Sequence, residues 1–221
     1  MFVKICGIRD VESALAAAAA GADAVGLNFY DKSPRVVALA GATEIVSQLR
    51  ALPGTPIEPV GVFVNHSADE IRNIAKQCGL RTVQLHGDEP PERLAELSGE
   101  FRVVRAFRAG DGGLDPLARY LACCNRLGAT PWACLVDGKV EGMYGGTGHT
   151  APWDVLRREY KTAAWPPLIL AGGLRPENVA DAIRVVRPWG VDVAGGVESS
   201  LACKDAALVR QFVQNAKKTS I

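Results

Sequence analysis

The sequence is poor in the features that mark export, membranes, disulfides and metals. No apolar run reaches the ~18 residues of a membrane span. The longest bland stretch, ALAAAAAG at Ala14 to Gly21, reads as an alanine-rich helix face. The apolar part of MFVKICGIRD is too short for a signal peptide, so a cytoplasmic protein is expected. The six cysteines, at 6, 78, 123, 124, 134 and 203, form no CxxC and are expected to be reduced. Three histidines, 66, 86 and 149, lie far apart with no HExxH, which gives no reason to expect a metal. Charge of either sign is not in excess: 25 Lys and Arg against 24 Asp and Glu give a net +1. That balance argues against a nucleic-acid or membrane-surface partner, and a small anionic substrate would need local groups. No GxGxxG follows the first apolar run, where CGIRD stands instead, so a dinucleotide fold is not indicated.

What the chain does contain is alternation. Short β-branched runs, FVKI, DAVGLNF, PVGVFV, RTVQL, RVVRAF, WACLV, PLILA and VDVA, are each followed by a helical pattern. The helices are expected near Val11, Gly41, Ser67, Pro90, Leu114, Trp153, Pro176 and Lys204. Asp10 can cap the first and Gly21 can end it, and Pro176 fits the first position of the seventh. Eight units in 221 residues, without linkers, predict a single (β/α)8 TIM barrel domain over residues 1–221. An open doubly wound sheet is the alternative, and it usually needs fewer strands. Trp132, Trp165 and Trp189 can pack internally or between subunits, leaving monomer and homodimer open.

In such a barrel, chemistry belongs where strands end and helices begin. Strand alternation puts Phe2, Lys4 and Cys6 on one face of the first strand. Cys6 is either a small buried hydrophobe or a reactive rim group. Lys4 sits too deep for a Schiff-base nucleophile and is expected to pair with a carboxylate. Asp137, last inward residue of the sixth strand, is a loop cap or a general acid/base. The glycine-rich YGGTGHT that follows is a surface loop or a close backbone approach to a ligand. Gly172-Gly173 and Gly195-Gly196 lie just past the seventh and eighth strands, where backbone N–H groups commonly bind phosphate. Arg35 is either exposed or an anion clamp, and His86, at the end of the fourth strand, orients a substrate or bonds a loop.

The ordered series KICGI, GADAVGLNFYDKSPR, VGVFVN, VQLHGDE, LVDGKVEGMYGGTG, LILAGGLRPENV and GVDVAGGVES with Lys204-Asp205 resembles the phosphoribosylanthranilate isomerases of tryptophan biosynthesis. It runs from Lys4 to Asp205. The resemblance implies a (β/α)8 barrel converting N-(5-phosphoribosyl)anthranilate to 1-(2-carboxyphenylamino)-1-deoxyribulose 5-phosphate, an Amadori rearrangement, with no cofactor. It implies Cys6 as general base, Asp137 as general acid and Arg35 as clamp for the anthranilate carboxylate. His86 and Asp192 would line the site, and Gly172, Gly173, Gly195 and Gly196 would bind phosphate. The chain departs from the family at Ala194-Gly195, where serines are usual, at His149 in place of lysine, and at Ala151 to Trp153, where APW replaces FDW. It is also expected to depart at Cys203, in place of a glycine before Lys204.

The chemistry sets conditions. A free thiol, with pKa about 8.5, is only a few per cent thiolate near neutrality, so a thiol base gains from nearby cations such as Lys4 or Arg35. An aspartic acid with pKa near 6 instead of about 3.9 needs a bias of about 3 kcal/mol. Two rival readings are the parallel histidine-pathway isomerase, which typically uses two aspartates, and a barrel that binds phosphosugars without turnover. Cys6 argues against the former, and the complete set of candidate groups against the latter.

Overall fold

The computed structural model describes residues 1–54, 56–109, 113–138 and 153–219. Among the described residues, eight barrel strands alternate with eight helices: β1 (Phe2–Cys6), α1 (Val11–Ala19), β2 (Ala24–Asn28), α2 (Leu39–Ala51), β3 (Glu58–Phe63), α3 (Ala68–Cys78), β4 (Thr82–Leu85), α4 (Pro91–Ser98), β5 (Arg102–Ala109), α5 (Asp115–Arg126), β6 (Ala133–Gly138), α6 (Trp153–Glu159), β7 (Leu168–Leu170), α7 (Val179–Val186) and β8 (Gly190–Val193) come first. A two-stranded hairpin, β9 (Glu198–Ser200) and β10 (Cys203–Lys204), precedes α8 (Ala206–Lys218). The strands pair in parallel from β1 to β8, and β8 pairs back with β1, closing the (β/α)8 barrel.

The sequence explains the two-sided core. Parallel strands are buried on both faces, so they read as β-branched runs. Outward-facing Val3, Ile5, Val25, Leu27, Val83 and Leu85 pack under the helices. Inward-facing Val104, Ala106, Ala133, Leu135, Ile169 and Ala171 form a separate cluster in the lumen. Phe2 floors that cluster, stacked on Trp189 at 4.6 Å and edge-on to Trp132 at 6.0 Å. Trp132 is partly buried there, Trp189 is exposed at the barrel's lower rim, and Trp165 packs edge-on against Tyr160.

Local capping matches the residue types. Asp10 accepts from Ser13 N at 2.7 Å, and Gly21 follows α1 at φ +86°. Ser67 and Glu70 form a reciprocal capping box on α3, which ends at Gly79 in the left-handed region. Two expected boundaries shift. Helix α7 begins at Val179, after Pro176, because the Asn178 side chain accepts from Arg175 N (2.8 Å) and donates to Gly173 O (3.0 Å). That closes a turn over 173–178 before the helix can start. Lys204 belongs to β10, and Asp205 caps α8 through Ala207 N and Leu208 N.

Candidate active site

Cys6 is the last residue of β1, and the turn behind it is built for close approach. Gly7 lies at φ +76°, and a Cβ there would sit 2.6 Å from Arg35 Cδ. Only glycine fits both demands. The Arg35 stem therefore crosses the turn immediately after the thiol. On β2, a side chain at Gly26 would meet Cys6 Sγ at 2.6 Å and Lys4 Nζ at 3.2 Å, so this glycine leaves room for both groups.

Lys4, 2% exposed, points into the lumen one layer below Cys6 and donates to Asp192 Oδ1 at 2.8 Å. Burial alone would lower the ammonium, but Asp192 and then Cys6 outweigh it and hold it up at about 12. For Cys6 the balance runs the other way. Half-buried, this residue lines the cavity, and desolvation by the surrounding groups pushes the thiol above its ordinary value despite the opposing pull of Lys4 and Lys204. The lowering expected from Lys4 is present, but burial exceeds it.

The loop after β2 is tied by its own polar side chains. Asn28 Nδ2 donates to Ser33 Oγ at 3.0 Å, and Ser33 Oγ accepts from Arg35 N at 3.1 Å. Arg35 then reaches Glu198 with two parallel bonds, Nε to Oε1 at 2.7 Å and Nη2 to Oε2 at 2.8 Å. Lys204 Nζ donates to the same Oε1 at 2.7 Å. Against the burial that would raise it, these bonds hold the Glu198 carboxyl down at about 2. Glu198 and Lys204 stood within the quoted motif, but no local spacing links them to Arg35, which is 163 residues from Glu198 in sequence.

His86 sits at the end of β4. Burial, then Lys4, Arg108 and Arg105, push its imidazole down to about 3, so it is neutral at physiological pH. Gln84 Nε2 lies 2.6 Å from Nδ1; with the amide as donor, the ring proton sits on Nε2. The loop carrying His86 is clamped from behind. Arg105, on the outward face of β5, donates to Leu85 O (3.0 Å), Gly87 O (3.1 Å) and Glu89 Oε2 (3.2 Å). Glu89 accepts from the Asn65 and Gly87 backbone amides. This buried ion pair had no signature in the sequence, where Arg105 read as an ordinary strand residue.

Asp137, 6% exposed, stands inward on β6, directly opposite Arg108 in the β5–β6 register. YGGTGHT, His149 and the APW departure at Ala151 and Pro152 fall outside the described residues, whereas Trp153 opens α6. Two adjoining cavities share Arg35, Asp137, Asp192 and Ala194 as a common wall. The smaller, about 60 Å³, adds Cys6, Asn28, Tyr30 and His86. The larger, about 630 Å³, adds Gly172, Gly173, Gly195, Gly196 and Arg175. Gly172 and Gly173 lie at φ +89° and +63°, and a 3₁₀ turn begins at Gly195. A Cβ at Gly196 would fall 1.8 Å from Leu174 O, so the two turns interlock only through glycine. All the candidate site residues therefore gather at the mouth formed by the C-terminal ends of the strands. Cys203 lies in β10, and the left-handed residue of the hairpin turn is Ala202, φ +64°.

A closed parallel barrel with a thiol, a carboxyl, an arginine and two glycine turns at one mouth defines a barrel enzyme of small phosphorylated substrates. The comparisons with known proteins are more specific. The family model described as N-(5'phosphoribosyl)anthranilate (PRA) isomerase matches residues 3–215. A curated relative of that name from Geobacter sulfurreducens is 45% identical over 216 residues, covering 97% of this chain and 98% of its own length. The crystal structure of phosphoribosyl anthranilate isomerase from Thermotoga maritima superposes with a TM-score of 0.84 at 36% identity, covering 98% of each chain. A phosphoribosyl anthranilate isomerase in complex with reduced 1-(o-carboxyphenylamino)-1-deoxyribulose 5-phosphate superposes with a TM-score of 0.81 at 34% identity, again over 98% of each. The chain belongs to the N-(5'-phosphoribosyl)anthranilate isomerase family.

Proposed function

We propose that residues 1–221 act as one catalytic barrel that converts N-(5-phosphoribosyl)anthranilate to 1-(2-carboxyphenylamino)-1-deoxyribulose 5-phosphate. Asp137 gives a proton to the furanose ring oxygen as the C1′–O bond breaks, leaving a ring-opened iminium. The iminium acidifies the C2′ proton, which Cys6 removes to give an enolamine. Tautomerisation of the enolamine to the ketone adds a proton at C1′ and releases the one on the C2′ hydroxyl, and proton exchange resets Asp137 to its acid and Cys6 to its base form. Isomerisation is redox-neutral, and these two groups supply both proton transfers.

Arg35 receives the ring carboxylate, His86 offers its Nε2 proton to a sugar hydroxyl, and Asp192 fixes the Lys4 charge beneath the thiol. Backbone N–H groups at Gly172, Gly173, Gly195 and Gly196 hold the phosphate. Ala194 gives no hydroxyl to that group, so the backbone carries the binding. The observation that carries this reading is the shared wall: Asp137 and Arg35 border both the cavity that contains Cys6 and the cavity that contains the glycine turns. One substrate spanning the two meets base, acid, carboxylate clamp and phosphate turns together.

Among the described residues no helix is long and apolar enough to cross a membrane. With a net charge of +1, a cytoplasmic monomer or homodimer without nucleic-acid or membrane partners fits best. The test generates phosphoribosylanthranilate in situ and follows its fluorescence decay. Cys6→Ala and Asp137→Asn are each expected to lose at least about 100-fold in kcat. Near-full turnover by either variant would remove that residue from the mechanism.

A further inference from the structure

The chain uses the Glu198 carboxylate completely. Its Oε1 accepts from Arg35 Nε (2.7 Å) and Lys204 Nζ (2.7 Å), and its Oε2 from Arg35 Nη2 (2.8 Å) and Ala202 N (3.2 Å). The side chains are nearly inaccessible, 12% exposed for Arg35, 5% for Glu198 and 3% for Lys204. Lys204 Nζ also donates to Ala194 O at 2.9 Å, which fastens the hairpin to the end of β8. Within this cluster two cations share one carboxylate, so Glu198 does not cancel both charges.

An arginine has a long stem, and fixing it at the moment of binding is costly. Here the stem is already pinned against Gly7, and one edge of the guanidinium, Nε with Nη2, is occupied. Nη1 makes no hydrogen bond with the described residues. We infer that Glu198, supported by Lys204, is the positioning residue that presents the Nη1 edge of Arg35 to the substrate's ring carboxylate. Lys204 serves to keep Glu198 ionised without letting it neutralise the arginine. The carboxylate of the substrate thus meets a guanidinium already oriented and still carrying its charge, as preorganised recognition requires. This rests on the reading of Arg35 as the clamp for that carboxylate.

The test uses two stable ligands: the reduced product, a 2-carboxyphenylamino pentitol phosphate, and the phenylamino counterpart lacking the carboxylate. Binding is measured by calorimetry, and kcat and KM by the fluorescence assay. The variants are Glu198→Gln and the pair Glu198→Met with Lys204→Met, which replaces the ion pair by apolar groups and keeps the hairpin packed if the single variant loosens it. Both are expected to bind the carboxylated ligand about tenfold more weakly and the phenylamino ligand unchanged, with KM raised and kcat within about threefold. Equal weakening of both ligands would make Glu198 merely structural. Unchanged or tighter binding of the carboxylated ligand would make Glu198 a bystander or a competitor for Arg35. Either outcome overturns the inference. Arg35→Gln separates the two levels. If it weakens both ligands alike, the clamp reading falls. If it selects against the carboxylated ligand while the Glu198 variants do not, only the positioning role falls.

Discussion

Lys4 Nζ lies 2.8 Å from Asp192 Oδ1, on neighbouring strands whose register sets the two residues side by side. The pair closes the seam between the first and last strands of the barrel and places a fixed positive charge beneath Cys6. Lys4→Met removes that charge and leaves the Asp192 carboxylate buried and uncompensated. Stability should fall by about 3–5 kcal/mol in denaturant titration. Lys4→Met combined with Asp192→Asn leaves no orphan charge, so it should regain most of that loss while turnover stays low. Recovery of turnover along with stability would show that Lys4 only holds the barrel together.

Burial keeps the Cys6 thiol above its ordinary value, with Lys4 opposing it. The thiolate is therefore the scarce form in the free enzyme at neutral pH, and a thiol base makes kcat/KM rise with pH. The rise should begin near neutrality and have a limiting slope of tenfold per unit, that of a single ionisation, levelling only as the thiol titrates. Cys6→Ser, whose hydroxyl does not ionise in this range, should lose the limb together with the activity. A flat or falling profile above neutrality would be inconsistent with Cys6 as the base.

The (β/α)8 order was legible because each strand announced itself as a β-branched run and each junction carried its own polar or glycine signal. Lys4, two residues before Cys6, could be placed in the lumen by alternation, and a carboxylate partner was expected, but nothing local pointed to Asp192, 188 residues away. Three things were hidden. The late start of α7 depends on Asn178 bonding back to Gly173 and Arg175, a tertiary choice that propensity does not encode. The Arg105–Glu89 clamp behind His86 links an outward strand position to a loop, a place where alternation predicts an apolar residue. The β9–β10 hairpin is only a few residues long and lies between a strand and a helix. Its role is visible only when Glu198 meets Arg35 across the barrel mouth.

His86 and Glu198 make stability fall with acid in windows that are offset and overlap between about pH 4.5 and 3. The imidazole is held at about 3 against an ordinary 6.5, so below pH 6.5 the unfolded chain takes up a proton that the folded chain refuses. Its contribution is complete above 6.5 and is lost as pH falls towards 3. Glu198, held at about 2 against an ordinary 4.5, contributes above 4.5 and loses that contribution only below it. Between 6.5 and 4.5 the slope assigned to His86 is at most about 1.4 kcal/mol per pH unit, reduced by its partial exposure to the cavity. His86→Gln should flatten unfolding free energy against pH in this upper window, and Glu198→Gln should act only in the lower one. If His86→Gln leaves the upper window as steep as before, the histidine is not its source.

Ala202 carries a strain that one substitution can relieve. In the hairpin turn between Ser200 and Cys203, Ala202 sits at φ +64°, in the left-handed region that favours glycine. A Cβ in the left-handed region costs about 1–2 kcal/mol. Glycine returns about 0.4–1 kcal/mol of that through its greater freedom when unfolded. Ala202→Gly should therefore stabilise by about 0.5–1 kcal/mol, a rise in Tm of about 1–4 °C for a chain of this size. The backbone amide of residue 202 still donates to Glu198 Oε2, so kcat and KM should not change. A lower Tm would mean that the alanine methyl packs better than its backbone angle suggests. A raised KM would mean that the stiffness of this turn, and not only its hydrogen bond, holds Glu198 against Arg35.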